Sequence, residues 1–250
     1  MPNTGSAGPH HAGGGTGLLA TVDGYTLQPA TTALSVGQQT FRFQVLDPRG
    51  MPHTQYVEDQ TKLMHFYLVR RDLTGYQHLH PTLVGGTWSV TIQVPSPGAY
   101  RIYTDFIARD GSGTEHPLVL SSELIAPGQY KPVALPPAGT TATADGLAAT
   151  LAGTIKAGIA TRVSFQIIAG GQPVTDLEPY LDSFAHLTAL RSGDLAYKHV
   201  HPELTAAAGQ NGGPSLPFSV NLPEAGTWRL FLQVQRAGAL HLLPLTVTVR

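Results

Sequence analysis

Apolar and polar residues alternate along this chain in short runs, broken by glycine or proline roughly every ten residues. Thr40–Leu46, Lys62–Arg70, Tyr76–Pro81, Thr87–Val94, Gly98–Phe106 and Pro117–Ile125 each alternate or run apolar over a strand's length. No stretch carries a 3.6-residue apolar stripe bounded by caps. The pattern predicts an all-β protein.

The chain repeats itself. Thr21-Val22-Asp23-Gly24 returns as Thr143-Ala144-Asp145-Gly146, and Phe43-Gln44-Val45 as Phe165-Gln166-Ile167. Gly98-Ala99-Tyr100-Arg101 returns as Gly226-Thr227-Trp228-Arg229. We therefore expect a tether over 1–17, a β-domain over 18–126, a proline-rich linker over 127–141 and a second β-domain over 142–250. Copies of this size with six to eight short strands predict two tandem immunoglobulin-like or cupredoxin-like β-sandwiches. Trp88, Tyr100, Trp228 and Phe231 are expected between the sheets.

Composition narrows the chemistry. There is no cysteine among the 250 residues, which excludes disulfides, thiol nucleophiles, iron–sulfur clusters and the thiolate of a blue-copper centre. The net charge of −1 offers no electrostatic reason to expect nucleic acid as a partner. No apolar run approaches the ~20 residues of a membrane-spanning helix. The Gly-rich leader MPNTGSAGPHHAGGGTG resembles segments that follow a removed export signal or lipid anchor, so we expect a secreted, periplasmic or surface-anchored protein.

Histidine occurs 11 times and falls in a pattern. His65, His78 and His80, followed by Pro81, return at a constant offset of 121 as His186, His199, His201 and Pro202. Residues two apart in a strand share a face, so His78 and His80 point together. A hairpin between Lys62–Arg70 and Tyr76–Pro81 brings His65 opposite one of them, with Cβ atoms roughly 4.5–5.5 Å apart. Three imidazoles per copy then converge as a three-nitrogen metal site requires. Tyr76 and Tyr197, on the same strand faces, are candidates to bond a ligand or close the site. His116, His241 and Asp105 are candidate fourth ligands. Met64 adjoins His65 but should face the other way. His53, His10 and His11 are read as unassigned surface residues or incidental metal scavengers.

Nitrogen donors favour copper first and zinc second, over calcium or magnesium. The segments LMHFYLVRRDLTGYQHLHP at 63–81 and FAHLTALRSGDLAYKHVHP at 184–202 resemble a family of two-domain secreted bacterial proteins, mostly actinobacterial, labelled heavy-metal-binding. The resemblance extends to DGYTL at 23–27 and PVTDLEPYL at 173–181. It implies export and makes the six histidines the motif residues. Leu232-Gln233-Val234 departs from the pattern, which has an aspartate–phenylalanine pair such as Asp105-Phe106.

The expected function is metal sequestration, delivery or tolerance without catalysis, with a metal ion and a metal-trafficking or membrane protein as partners. No nucleophile motif or general base accompanies the histidines, which argues against a three-histidine metalloenzyme. The competing expectation is a structural or adhesive surface module in which the histidines are core polar groups.

Overall fold

The computed structural model describes residues 16–200 and 202–250. Among them every regular element is a strand, and the strands form four antiparallel sheets. The first copy contains β1 (Thr21–Val22), β2 (Tyr25–Pro29), β3 (Gly37–Leu46), β4 (Tyr56–Val57), β5 (His65–Arg70), β6 (Gln77–Leu79), β7 (Thr82–Val84), β8 (Thr87–Val94), β9 (Gly98–Arg109) and β10 (Glu115–Ala126). One sheet has the order β1-β2-β3-β8-β7 and the other β10-β9-β5-β6, with β4 beside β9.

Alternation decides which side chains meet between these sheets. On β3, Phe41 and Phe43 point inward, opposite Val90 and Trp88 of β8. Both phenylalanines reach Phe66 of the other sheet, with ring centroids 5.9 and 5.5 Å apart. Removing such a ring to alanine costs about 3–5 kcal/mol. Phe66 and Leu68 of β5 belong to this core, together with Met64, so Met64 does face away from His65. His65 and Tyr67 stand on the opposite face of the strand. That face is buried too, since all six residues of β5 are inaccessible.

The second copy follows the same plan. It contains β11 (Thr141–Ala144), β12 (Leu147–Ala152), β13 (Thr161–Ala169), β14 (Gln172–Pro173), β15 (His186–Arg191), β16 (Tyr197–Val200), β17 (Ser215–Val220), β18 (Gly226–Arg236) and β19 (Ala239–Val249). Its sheets run β11-β12-β13-β14, with β17 beside β13, and β16-β15-β18-β19. The fold is all-β and immunoglobulin-like, as the alternation predicts.

The repeat extends to specific hydrogen bonds. Tyr100 donates its hydroxyl to the Ser96 carbonyl at 2.6 Å, and Trp228 donates Nε1–H to the Glu224 carbonyl at 3.1 Å. Each bond ties a strand to the turn four residues earlier. Arg70 and Arg191 likewise each grip an aspartate at the end of their own strand, Asp72 and Asp194.

By contacts the chain divides into one unit ending at Leu68 and resuming over Gln77–Gly128, and a second made of Val69–Tyr76 and Gln129–Arg250. Within the second unit Tyr76 stacks on Phe231, with centroids 4.0 Å apart and planes at 6°. Phe231 is therefore a correction to the sequence expectation. Lying three residues beyond Trp228 on β18, it projects from the other face of the strand.

Candidate metal centre

The β5–β6 hairpin sets the site. Tyr67 lies opposite His78 and Phe66 opposite Leu79 in the antiparallel ladder. One further step of that register brings His80 opposite His65. Opposed residues share a face, so His65, Tyr67, His78 and His80 converge on the side of the sheet away from the aromatic core.

One ring nitrogen from each of His65, His78 and His80 lies within 4.8 Å of the other two, the single such cluster among the described residues. Ring centroids are 5.3 Å apart for His65 and His78, 5.2 Å for His65 and His80, and 4.8 Å for His78 and His80. His65 is 1% exposed and His78 6%, while His80 is half-buried. Metal–nitrogen bonds of about 2.0–2.1 Å in tetrahedral geometry place ligand nitrogens about 3.3 Å apart. His65 Nδ1 and His78 Nε2, at 3.0 Å, stand close to that separation. The donor set is nitrogen-only, which suits copper, zinc or nickel.

Two neighbours fix the rings. The Tyr67 ring stacks on His78 with centroids 4.4 Å apart and planes at 15°. His65 Nε2 lies 3.1 Å from the Asp59 carbonyl oxygen, which accepts only, so this nitrogen carries the proton and donates. Asp59 opens a tight turn. Its N–H and C=O both bond Lys62, while Gln60 and Thr61 sit at φ 47° and 66°. Two consecutive left-handed residues match a type I′ turn, although neither is the usual Asn or Gly. This turn delays the strand expected from Lys62 until His65.

The second copy repeats the turn and its bond to the leading histidine. His186 Nε2 donates to the Tyr180 carbonyl at 2.7 Å and lies 3.2 Å from Ser183 Oγ. Tyr180 and Ser183 close a turn through Leu181 and Asp182, at φ 51° and 65°. His186 and His199 rings have centroids 6.4 Å apart. His201 lies outside the described residues, as do His10 and His11. Sequence reading passed over Asp59, Tyr180 and their turns. Backbone carbonyls leave no residue-type signature, and the turn residues differ between copies.

The remaining candidates have other surroundings. His116 Nε2 is 3.0 Å from Asp110 Oδ2 beside Tyr25, outside the triad. Asp110 also accepts bonds from Ser112 and Thr114, and these together with His116 hold its carboxyl well below the usual range. His241 Nδ1 is 3.2 Å from Asp145 Oδ2. Asp105 is 1% exposed and alternates away from the core residues Ile102 and Phe106 on β9, next to β5. It thus shares the histidine face. In the second copy Gln233 stands directly opposite His186.

Two expectations need correcting. His53 is not a surface residue: it is 7% exposed, with Nε2 2.6 Å from the Gln55 carbonyl and its ring edge-on to Tyr25 and Tyr56. Burial holds its pKa below the ordinary histidine value. The Tyr76 hydroxyl is engaged by Thr188, to which it donates at 2.9 Å, rather than held for a ligand.

The family model described as a domain of unknown function, DUF8832, matches residues 20–122 and 142–250. The chain belongs to this family. A comparison with curated proteins gave no match. Among solved structures, the chain is similar to Escherichia coli alpha-2-macroglobulin activated by porcine elastase, at 7% identity and TM-score 0.27, covering 90% of this chain and 20% of that one. Yersinia pseudotuberculosis InvD matches at 13% identity and TM-score 0.26, over 92% of this chain and 58% of that one. The D0–D1 domain of intimin matches at 11% identity and TM-score 0.24, over 89% and 96%. The chain therefore spans less than two thirds of each of the first two. At such identities and TM-scores, the functional reading of this DUF8832 member rests on its own residues.

Proposed function

We propose that this protein binds a metal ion outside the cytoplasm, copper in preference to zinc, through one histidine triad in each copy, for sequestration, delivery or tolerance rather than catalysis. The observation that carries the reading is the convergence of His65, His78 and His80 on one buried sheet face, with ring nitrogens within 4.8 Å. Desolvating three imidazoles together is unfavourable if they carry charge, and coordination by neutral rings removes that conflict. Copper ranks first because a nitrogen site follows the Irving–Williams order. The second triad rests on the repeated spacing of His186, His199 and His201. Export rests on the family resemblance. A metal-trafficking or membrane protein would exchange the ion.

Titration of the metal-free protein with Cu(II) and Zn(II), followed by calorimetry and elemental analysis, tests the proposal. Saturable stoichiometric binding, lost in His78→Ala, is expected. No stoichiometric binding by either ion overturns it.

A structural module with buried polar histidines is the second reading. It is favoured by one observation: both nitrogens of His65 already lie within hydrogen-bond distance of protein atoms. On that reading His65→Ala lowers stability equally with and without metal.

A further inference from the structure

We infer that the Asp59 and Tyr180 carbonyls are positioning groups that select the ligating atom of each triad's first histidine, which coordinates through Nδ1 and keeps its proton on Nε2. The inference deepens the metal-binding proposal and rests on it.

The argument begins with donor and acceptor roles. A carbonyl oxygen cannot donate, so the 3.1 Å contact from His65 Nε2 to Asp59 and the 2.7 Å contact from His186 Nε2 to Tyr180 both require a proton on Nε2. In a neutral imidazole the lone pair then resides on Nδ1, the only ring atom able to bind a metal. For His65 that atom is the one lying 3.0 Å from His78. It faces the other histidines while Nε2 faces the turn. A ligand imidazole that hands its other N–H to a carbonyl is held in orientation and made more basic toward the metal.

The turn is what brings the carbonyl there. In both copies the acceptor lies six residues before the histidine, is bonded reciprocally to the residue three positions on, and is followed by two non-glycine residues with positive φ. Side chains in this region cost energy and persist where surrounding contacts hold them. The side chains at the two turns differ, Gln60-Thr61 against Leu181-Asp182, yet the backbone path is the same. The retained element is therefore the carbonyl's position and not a side-chain function.

The test uses the full chain with 15N-labelled histidine, read by two-bond proton–nitrogen correlation. In metal-free protein, His65 and His186 should show protonated Nε2 and bare Nδ1. On addition of Zn(II) or Cu(I), both diamagnetic, the His65 Nδ1 resonance should shift while the Nε2 proton is retained. A shift at His65 Nε2, or loss of its proton, overturns the inference. If neither ion binds, the metal reading fails, while the metal-free spectrum still decides the proton's position.

Gln60→Pro supplies the functional arm. Proline is locked near φ −65°, so the turn cannot form and His65 loses its acceptor. Metal affinity should then fall about 10- to 100-fold, with both His65 tautomers populated. The paired change Gln60→Asn with Thr61→Gly keeps the turn and should leave affinity within about twofold of wild type. Unchanged affinity in a folded Gln60→Pro protein, or a comparable loss in the Asn-Gly variant, overturns the role of the carbonyl.

Discussion

His186 donates its Nε2 proton to the carbonyl of Tyr180 over 2.7 Å, as His65 does to Asp59 over 3.1 Å. The two bonds are one device used twice, each mounted on a turn that ordinary side chains occupy reluctantly. Left-handed conformations cost a non-glycine residue roughly 1–2 kcal/mol. Thr61→Gly should therefore raise stability by about 1 kcal/mol in denaturant unfolding, as the strain relieved exceeds the entropy glycine adds. A loss of stability would show that Thr61 is held by more than its backbone.

Metal should stabilise the protein with the logarithm of its free concentration above Kd. At a hundredfold excess over Kd, binding to the native state adds about 2.7 kcal/mol, or about 5–10 °C in Tm for a chain of this size. Differential scanning fluorimetry should show that gain in wild type. The His65→Ala, His78→Ala, His80→Ala triple variant should lose the share due to the first triad.

Asp72 should make stability acid-sensitive. Desolvation works to raise its pKa, but bonds from Arg70, from Thr74 and from the Val133 N–H bring it down to about 2. Its folded pKa is depressed, so its contribution is present above the unfolded value near 4 and disappears as pH falls toward 2. Asp72→Asn should abolish that part of the pH profile. It should also cost about 3–5 kcal/mol at neutral pH, because it leaves Arg70 buried without its carboxylate. Urea melts from pH 2 to 7 read both effects.

His53 acts in a different window. Burial lowers its pKa, so the unfolded chain takes up a proton below about 6.5 before the folded one does. Stability contributed at this site is complete above about 6.5 and declines as pH falls from there toward the lowered folded pKa. Replacing His53 by glutamine should flatten the profile between pH 7 and 5.5 in the same melts.

The strands were legible because alternation is a local signal. Thr87–Val94 is the observed β8, and Gly98–Phe106 grows only by the three residues to Arg109. The first triad was legible because a hairpin converts sequence spacing directly into cross-strand opposition. Phe231 was misread since its apolar character says nothing about which face of β18 it leaves from. His53 was misread because its buried environment is completed by Tyr25, 28 residues earlier in the chain, as well as by nearby Tyr56. The left-handed turns were invisible because Gln60, Thr61 and Leu181 are not residues that advertise such a conformation, and Asp182 alone does not mark a turn.

Asp105 and Gln233 give the duplicated scaffold two electrical settings. Each sits in the strand beside the leading histidine's strand, but one side chain ends in a carboxyl group and the other in an amide. A carboxyl group beside the leading histidine is available to the first half of the molecule alone, so the two histidine faces differ in the chemistry their neighbours offer.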